Sequence, residues 1–372
     1  MKKLFLIALA VILAAGISSA QAPKNYHLKD LGMLPGMKGC EPTAMNNEGY
    51  VAGVATAGPR VHCAFLYYYN GKEEEMEDIG GLGSRAFAIS PSGIVVGDSY
   101  FPRDIEISHA AIFKGGMAVD IGVLPGQIFS RATGINAARH VVGYSGLKRD
   151  SAESRGFIWT STEGMIDLGT LGGSYTQAFA INEAGWVTGT SALNPWVKNG
   201  GTHAFIYQPI FEPQWPTKPM QDLGTLGGTS SWGTAINNKR HVVGYSTITY
   251  EPRVHAFFHN GEKMIDLGAL EKEGFDYSAA LAINSDDFVV GVSYFPATDR
   301  NRLNQAAFLW KGINVGSGGH EMVSLNTLLN APDAERYWLL TAGAINDNGQ
   351  IVATAFDRVD NAIVAVLLTP AK

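Results

Sequence analysis

Charge and cysteine are what this sequence has least of. Only 17% of its 372 residues are charged, and there are two cysteines, Cys40 and Cys63. Two thiols cannot build the disulfide framework of a small secreted domain or a four-thiolate zinc site. No Lys or Arg run forms a basic stripe, and a formal charge of −6 works against a polyanion, so nucleic acid is not an expected partner. Beyond the N-terminus no apolar run reaches the about 20 residues that a membrane-spanning helix needs. A phosphate-cradling loop is missing. The stretch "GHEMV" at 319–323 has no second His at the spacing of a zinc-protease helix, and "GYSGL" at 143–147 is one glycine placement short of a nucleophile elbow. No metal, cofactor or catalytic residue is therefore expected from motifs.

What the sequence does have is glycine, 44 in all, and a 46% hydrophobic content. That balance favours short strands and tight turns over helices. The first residues place Lys2 and Lys3 ahead of an apolar run from Leu4 to Ala15, followed by small residues, the pattern of a secretory signal peptide. The expectation is a signal segment at 1–20, cleaved after about residue 20, and a single domain at 21–372. The protein would then be exported, to the periplasm or beyond, with no membrane insertion after signal removal.

The domain is written in repeats. "MIDLGTLGG" at 165–173 returns as "MQDLGTLGG" at 220–228, and related phrases carry Asp30, Asp78, Asp120, Asp167, Asp222 and Asp266, with Ser324 in the seventh copy. The period is roughly 50 residues, in the range of propeller blades. Three more phrases recur in fixed order: one of the type "AINEAG", one of the type "VVGYS", and one of the type "HAFIY". Each is too short for a helix and rich in β-branched and aromatic residues, so each unit holds four strands. The chain starts with only a fourth-strand phrase, "YHLKDLG", and ends with only a third, "NAIVAVLLTP". Joining these fragments closes a seven-bladed β-propeller of four-stranded antiparallel blades, in an all-β fold, with the segment from Tyr26 to Gly32 pairing near Ala362 to Leu368. An open β-solenoid would leave both ends uncapped.

These phrases taken together, with "HAF" at 203 and 255, resemble the HAF-repeat family of predicted extracellular repeat proteins. The resemblance spans essentially the whole chain after the signal segment. It implies export and a propeller-like fold, and supplies no catalytic residues.

The repeated Asp is expected to accept backbone N–H bonds of its own turn, with the next Gly at positive φ. Glycines 49, 93, 185 and 349 are expected in a left-handed turn position that Arg139, Arg240 and Asp287 occupy in other blades, and the strand glycines at 53, 97, 143, 189, 244 and 291 are expected to admit a neighbouring backbone. His109, His203 and His255 align at one position, with Cys63, Arg155, Gln305 and Asn361 in the other blades. Residues spread one to a blade do not converge on a metal.

Variation is concentrated in the loops between second and third strands, where binding residues of rigid scaffolds usually sit. Those loops carry Tyr100, Phe101, Arg103, Trp196, Lys198, Tyr250, Arg253, Phe295, Arg300 and Arg302, aromatic and cationic types typical of binding surfaces. The expected function is an exported non-catalytic binding or scaffold propeller that recognises a glycan, peptide or protein through this loop-rich face. The alternative is a carbohydrate-active hydrolase or lyase of the cell envelope with an axial active site. Cys40 precedes the first strand of blade 1 and Cys63 begins the third, so a disulfide needs the Cys40 loop to fold over the blade.

Overall fold

The structure, a computed structural model, describes residues 23, 25–58, 61–69, 71–101, 104–147, 153–195, 201–208, 219–249, 253–295, 304–311 and 322–371. Short strands follow one another as antiparallel units of four, the last and the first of which are joined into one eight-stranded sheet by a parallel bridge between Gly39 and Ile363. Blade 1 consists of Gly39–Met45, Val51–Gly58, Val61–Tyr69 and Glu74–Leu82. Blades 2 to 6 follow at 85–120, 129–167, 172–222, 227–266 and 277–324. Blade 7 takes its first three strands from the C-terminus, Tyr337–Ile345, Ile351–Asp357 and Ala362–Pro370, and its fourth, Tyr26–Asp30, from the N-terminus. Tyr26 lies opposite Pro370 and Asp30 opposite Val366, which is the closure expected from the two sequence fragments. The fold is a seven-bladed β-propeller.

The core is divided among the seams. Seven hydrophobic clusters each join two neighbouring blades, with blades 7 and 1 sharing Phe65, Cys40, Val352 and Ala365. The "HAF" phrase follows from this arrangement. Alternate strand residues point to opposite faces, so Phe65 fills the seam to blade 7 while the neighbouring Ala64 fills the seam to blade 2. Phe157, Phe205, Phe257 and Phe308 occupy the corresponding places and are fully buried. The small Ala lets the next blade approach, and the ring supplies the apolar area.

Turn chemistry sets the hairpins. Arg139, Arg240 and Asp287 stand at φ 62°, 67° and 65°, in the left-handed position that glycine fills elsewhere. The second-strand glycines admit a carbonyl from the first strand: a Cβ on Gly97, Gly143 or Gly244 would lie 1.8–1.9 Å from the oxygen of Arg85, Arg131 or Trp232. Blade 7 has Ala353 there, and its first strand carries a register shift between Leu339 and Thr341, directly beside that residue's partner, where the first strands of the other blades keep a regular register; the extra shifts of blades 4 and 5 lie further towards the strand start. The methyl group displaces the carbonyl, and the strand bulges instead.

Two expectations are corrected by register. The residue two places before the one opposite the fourth-strand Asp is Ala306 in blade 6 and Val364 in blade 7, not Gln305 and Asn361. The disulfide is not formed. Cys40 lies within the first strand rather than in a loop, and both cysteines pair with Ala55, from opposite sides. They are therefore two strand spacings apart, about 9–10 Å at ~4.8 Å per strand, beyond the ~6.8 Å that bridged Cα atoms tolerate. Both thiols are free and buried. Burial, with Asp78 nearby, pushes Cys63 up to about 11 and raises Cys40 as well, so neither is a reactive thiolate.

Candidate functional site

The repeated "DLG" phrase is saturated with internal bonds. Asp Oδ1 accepts from the backbone N–H two residues on, at 2.9 Å in Asp30, 2.7 Å in Asp120, 2.8 Å in Asp167 and 2.7 Å in Asp222. A residue of the third strand clips the same carboxylate: His109 to Asp120 at 2.9 Å, His203 to Asp222 at 2.9 Å, His255 to Asp266 at 3.0 Å, and Arg155 to Asp167 at 3.1 Å. Burial opposes ionisation of Asp222 and Asp266, yet the His and backbone bonds hold both below the usual carboxylate range. In blade 6 both partners change, to Ala306 and Ser324. A seryl hydroxyl of the next blade completes the joint. Ser130 Oγ accepts from Ala110 N–H at 2.7 Å and donates to the Gly122 carbonyl at 2.6 Å, a geometry repeated by Ser84, Ser231 and Ser278. The aspartates are thus consumed by the joints, and no group of metal-ligating side chains occurs among the described residues.

The face bearing the first-to-second-strand turns is closed in the same manner. Asn182 Oδ1 accepts from Trp186 N–H at 2.8 Å, within its own turn, while its amide donates 2.9 Å to the carbonyl of Asn237 in the next blade. Asn237 donates to Asn284, Asn284 to Asn346, Asn346 to Asn46, Asn46 to Ser90, and Asn136 to Asn182. Serine at 90 is the one ring member without an amide. A ring of Met45, Ile89, Ile135, Ile181, Ile236, Ile283 and Ile345 lies one residue earlier in each first strand. Five of these line a cavity of about 180 Å³ on this face, and none lines the larger axial cavity described next.

An axial cavity of about 740 Å³ towards the loop-rich face is lined mainly by first-strand residues three places before the ring Asn, in all blades but the fifth, and by Glu41, Arg131 and Thr341 five places before it. At the inner of these levels residues alternate in size around the axis: Thr43, Phe87, Thr133, Phe179, Thr234, Leu281, and then Gly343, where a Cβ would lie 2.7 Å from the Pro42 carbonyl. Three of the threonines donate across a seam, to the carbonyls of Ala86, Ala178 and Ala280 at 2.9, 2.9 and 2.8 Å. At the outer level six residue types occur in seven blades: Glu41, Arg85, Arg131, Gln177, Trp232, Ala279 and Thr341.

The charged part of that level is built rigidly. Asp98 is fully buried and accepts from Arg85 Nε and Nη2 at 2.8 and 2.7 Å and from Arg131 Nε at 3.0 Å. Arg131 also donates 2.9 Å to the Tyr144 hydroxyl and lies 4.8 Å over the Phe87 ring. A buried carboxylate shared by two guanidinium groups is what permits two cations to stand side by side, Arg131 on the channel wall and Arg85 beside it. Among the described residues lining the cavity, Glu41 is the only carboxylate.

The loop residues singled out from sequence are not gathered here. Arg103, Trp196, Lys198, Tyr250, Arg300 and Arg302 lie outside the described residues. Tyr100 packs in the seam of blades 1 and 2 beside His62, and Phe101 packs on the same seam cluster. Phe295 stacks on Phe275 in blade 6, and the Arg253 carbonyl closes a turn with Ile248 N–H in blade 5. None of these four lines the axial cavity. Most of the residues that do line it were signalled differently, by divergence at two positions inside an otherwise repeated strand.

Residues 176–365 match the family described as Protein of unknown function (DUF3466). No curated protein matches the sequence. The fold is similar to the β-propeller domain of the Trilobed protease from Pyrococcus furiosus, which was described as having an open velcro topology, at 10% identity over 90% of this chain and 96% of that one, with a TM-score of 0.55. TolB from Acinetobacter baumannii aligns over 61% of this chain and 53% of its own at 11% identity, with a TM-score of 0.42.

Proposed function

The chain belongs to the DUF3466 family of proteins of unknown function, and we propose that it is an exported, non-catalytic binding propeller that takes its ligand into the axial cavity from the loop-rich face. The observation behind this reading is the contrast inside one strand position. Five residues before the ring Asn the repeat has no consensus residue, and Glu41, Arg131 and Thr341 from this level, with six residues of the level below, line one cavity of ligand-site size, roughly 300–1,000 Å³. A rigid Arg131, held by Asp98, Tyr144 and Phe87, is pre-organised for contact at little entropic cost. Glycoside hydrolysis in its usual form needs two carboxyl groups flanking the bond; Glu41, the one carboxylate among the described residues lining the cavity, favours binding. Export and the likeness of the repeats to the HAF-repeat family belong to the same proposal.

The test is an array of glycans and peptides probed with purified chain lacking residues 1–20. Binding that is weakened by Phe179→Ala, with the melting curve retained, supports the axial site. Binding unaffected by Phe179→Ala and Glu41→Gln moves the site away from the axis. N-terminal sequencing of the protein recovered from periplasm and medium tests export, and an intact Met1 in the mature product refutes it.

A further inference from the structure

Resting on the reading of the axial cavity as the ligand site, we propose that the cavity selects a neutral, hydroxyl-rich ring ligand, a short saccharide, and discriminates against carboxylates and phosphates of the same size. Three features converge on this. The first is charge. Anionic ligands are usually held by a guanidinium fork that offers two parallel N–H groups. Here Arg85 directs Nε and Nη2 to Asp98, and Arg131 directs Nε to Asp98 and Nη1 to Tyr144. Among the described residues lining the cavity the charges are Arg131 and Glu41, and Arg85 behind the wall is offset by Asp98, so these residues present separated dipoles and no net charge to attract an ion.

The second feature is the apolar surface. Phe87, Phe179 and Leu281 are only partly buried and stand at one level of the wall. A pyranose ring presents C–H groups on its faces, and aromatic and aliphatic side chains supply the complementary surface. The third is the placement of acceptors. The hydroxyl hydrogens of Thr43 and Thr133 are directed to carbonyls across the seams, which leaves their oxygens able only to accept. Glu41 is likewise an acceptor, and Gln305, a further lining residue, commits its amide nitrogen to Thr341 Oγ1 at 3.3 Å. Acceptors interleaved with apolar rings fit a ligand that donates from its edge and is apolar on its face. A carboxylate or phosphate, which only accepts, faces this set unfavourably.

The experiment is calorimetric titration of the chain lacking residues 1–20 with three probe sets: neutral di- and trisaccharides of glucose, mannose and N-acetylglucosamine, the corresponding uronic-acid oligomers, and short peptides. At least one neutral saccharide should bind at least about tenfold more tightly than its uronic-acid counterpart, and Phe179→Ala and Glu41→Gln should each weaken that binding about tenfold or more, the loss typical of a contact residue at the centre of a site. Circular dichroism melts establish that the variants fold, and Glu41→Asp, which keeps the acceptor, should retain part of the affinity. Preferential binding of uronic acids or peptides that remains sensitive to Phe179→Ala overturns the neutral-saccharide inference while keeping the axial site. Absence of binding by every probe, or binding indifferent to both variants, overturns both.

Discussion

The two faces of the propeller are made from the same strands and differ in what repetition has been allowed to do. On the tight-turn face one residue type, Asn, performs one task in six blades: it closes its own turn and bonds the next blade. Towards the loop-rich face, five residues earlier, no two blades agree except for Arg85 and Arg131, and those two share a single buried acid. Distance along the strand is short, about 17 Å at ~3.4 Å per residue. Structure is thus carried by one end of each inner strand, and the proposed recognition site lies at the other. The lesson is that a repeat protein marks its site by where the repeat fails within a conserved element, more than by which loops are long.

Several substitutions would break or sharpen that contrast. The largest effect should come from removing residues 25–31, which strips the fourth strand from blade 7 and exposes the edge of Ala362–Pro370. Both faces should suffer, with a melting temperature lower by on the order of 10 °C in a thermal melt; an unchanged melt refutes closure. Asp98→Ala should follow, at about 3–5 kcal/mol in denaturant unfolding, because it leaves two largely buried guanidinium groups without their common partner. Asn182→Ala should cost about 2 kcal/mol, since it leaves the Trp186 N–H without its acceptor and removes one of the two bonds to the Asn237 carbonyl, which keeps that from Arg240 N–H, and it should leave ligand affinity unchanged. Loss of affinity together with stability in that variant would mean that the faces are coupled.

The faces should also differ in their response to pH. The bond to Asp266 raises His255 against the effect of burial. Its contribution to stability is therefore fully present below the ordinary His value of about 6.5 and is lost as pH rises through the raised folded value. Amide hydrogen exchange corrected for intrinsic rate should show weaker protection of Ala256 and Leu267 at pH 8 than at pH 6, and His255→Gln should abolish the difference. Asp222 and Asp266 act in the opposite sense, with stability present above about 3.9 and lost as pH falls through their lowered values. The amide ring from Asn284 through Asn346 to Asn46 should be indifferent between pH 6 and pH 8. The smallest effect is a gain: Ser90→Asn supplies the missing amide opposite the Asn136 carbonyl and should add about 0.5–1.5 kcal/mol, read as a small rise in denaturant midpoint.

Much of the architecture was legible because each joint states its chemistry locally. An Asp followed two residues later by a capped Gly N–H, and Arg139, Arg240 and Asp287 in left-handed turns, depend only on neighbours in the chain. Strand closure was legible because the two chain ends are complementary fragments of one repeat. Contacts across blades were not. Arg131 meets Asp98 and Phe87 only after two blades have been set side by side, and nothing within either phrase declares the partner. The Cys40 geometry failed for a related reason: its strand begins earlier than the repeated phrase suggests, which put a residue read as loop into a register two strands from Cys63. The amide ring was half legible, since the Asn was recognisable as a turn residue but its second bond belongs to the next blade.

The alternation Thr43, Phe87, Thr133, Phe179, Thr234, Leu281 carries a consequence in parity. A closed ring with an odd number of members cannot be coloured with two alternating sizes; somewhere two like members must meet. Here the mismatch falls at blade 7, and Gly343 absorbs it, since any Cβ there would collide with the Pro42 carbonyl. The tile that can be copied without conflict is consequently a pair of blades, not one blade. The phrase "HVVGYS" is indeed identical in blades 3 and 5, which share a colour. Inserting one further blade would need a second defect in the colouring or the removal of the existing one, whereas inserting two would need neither.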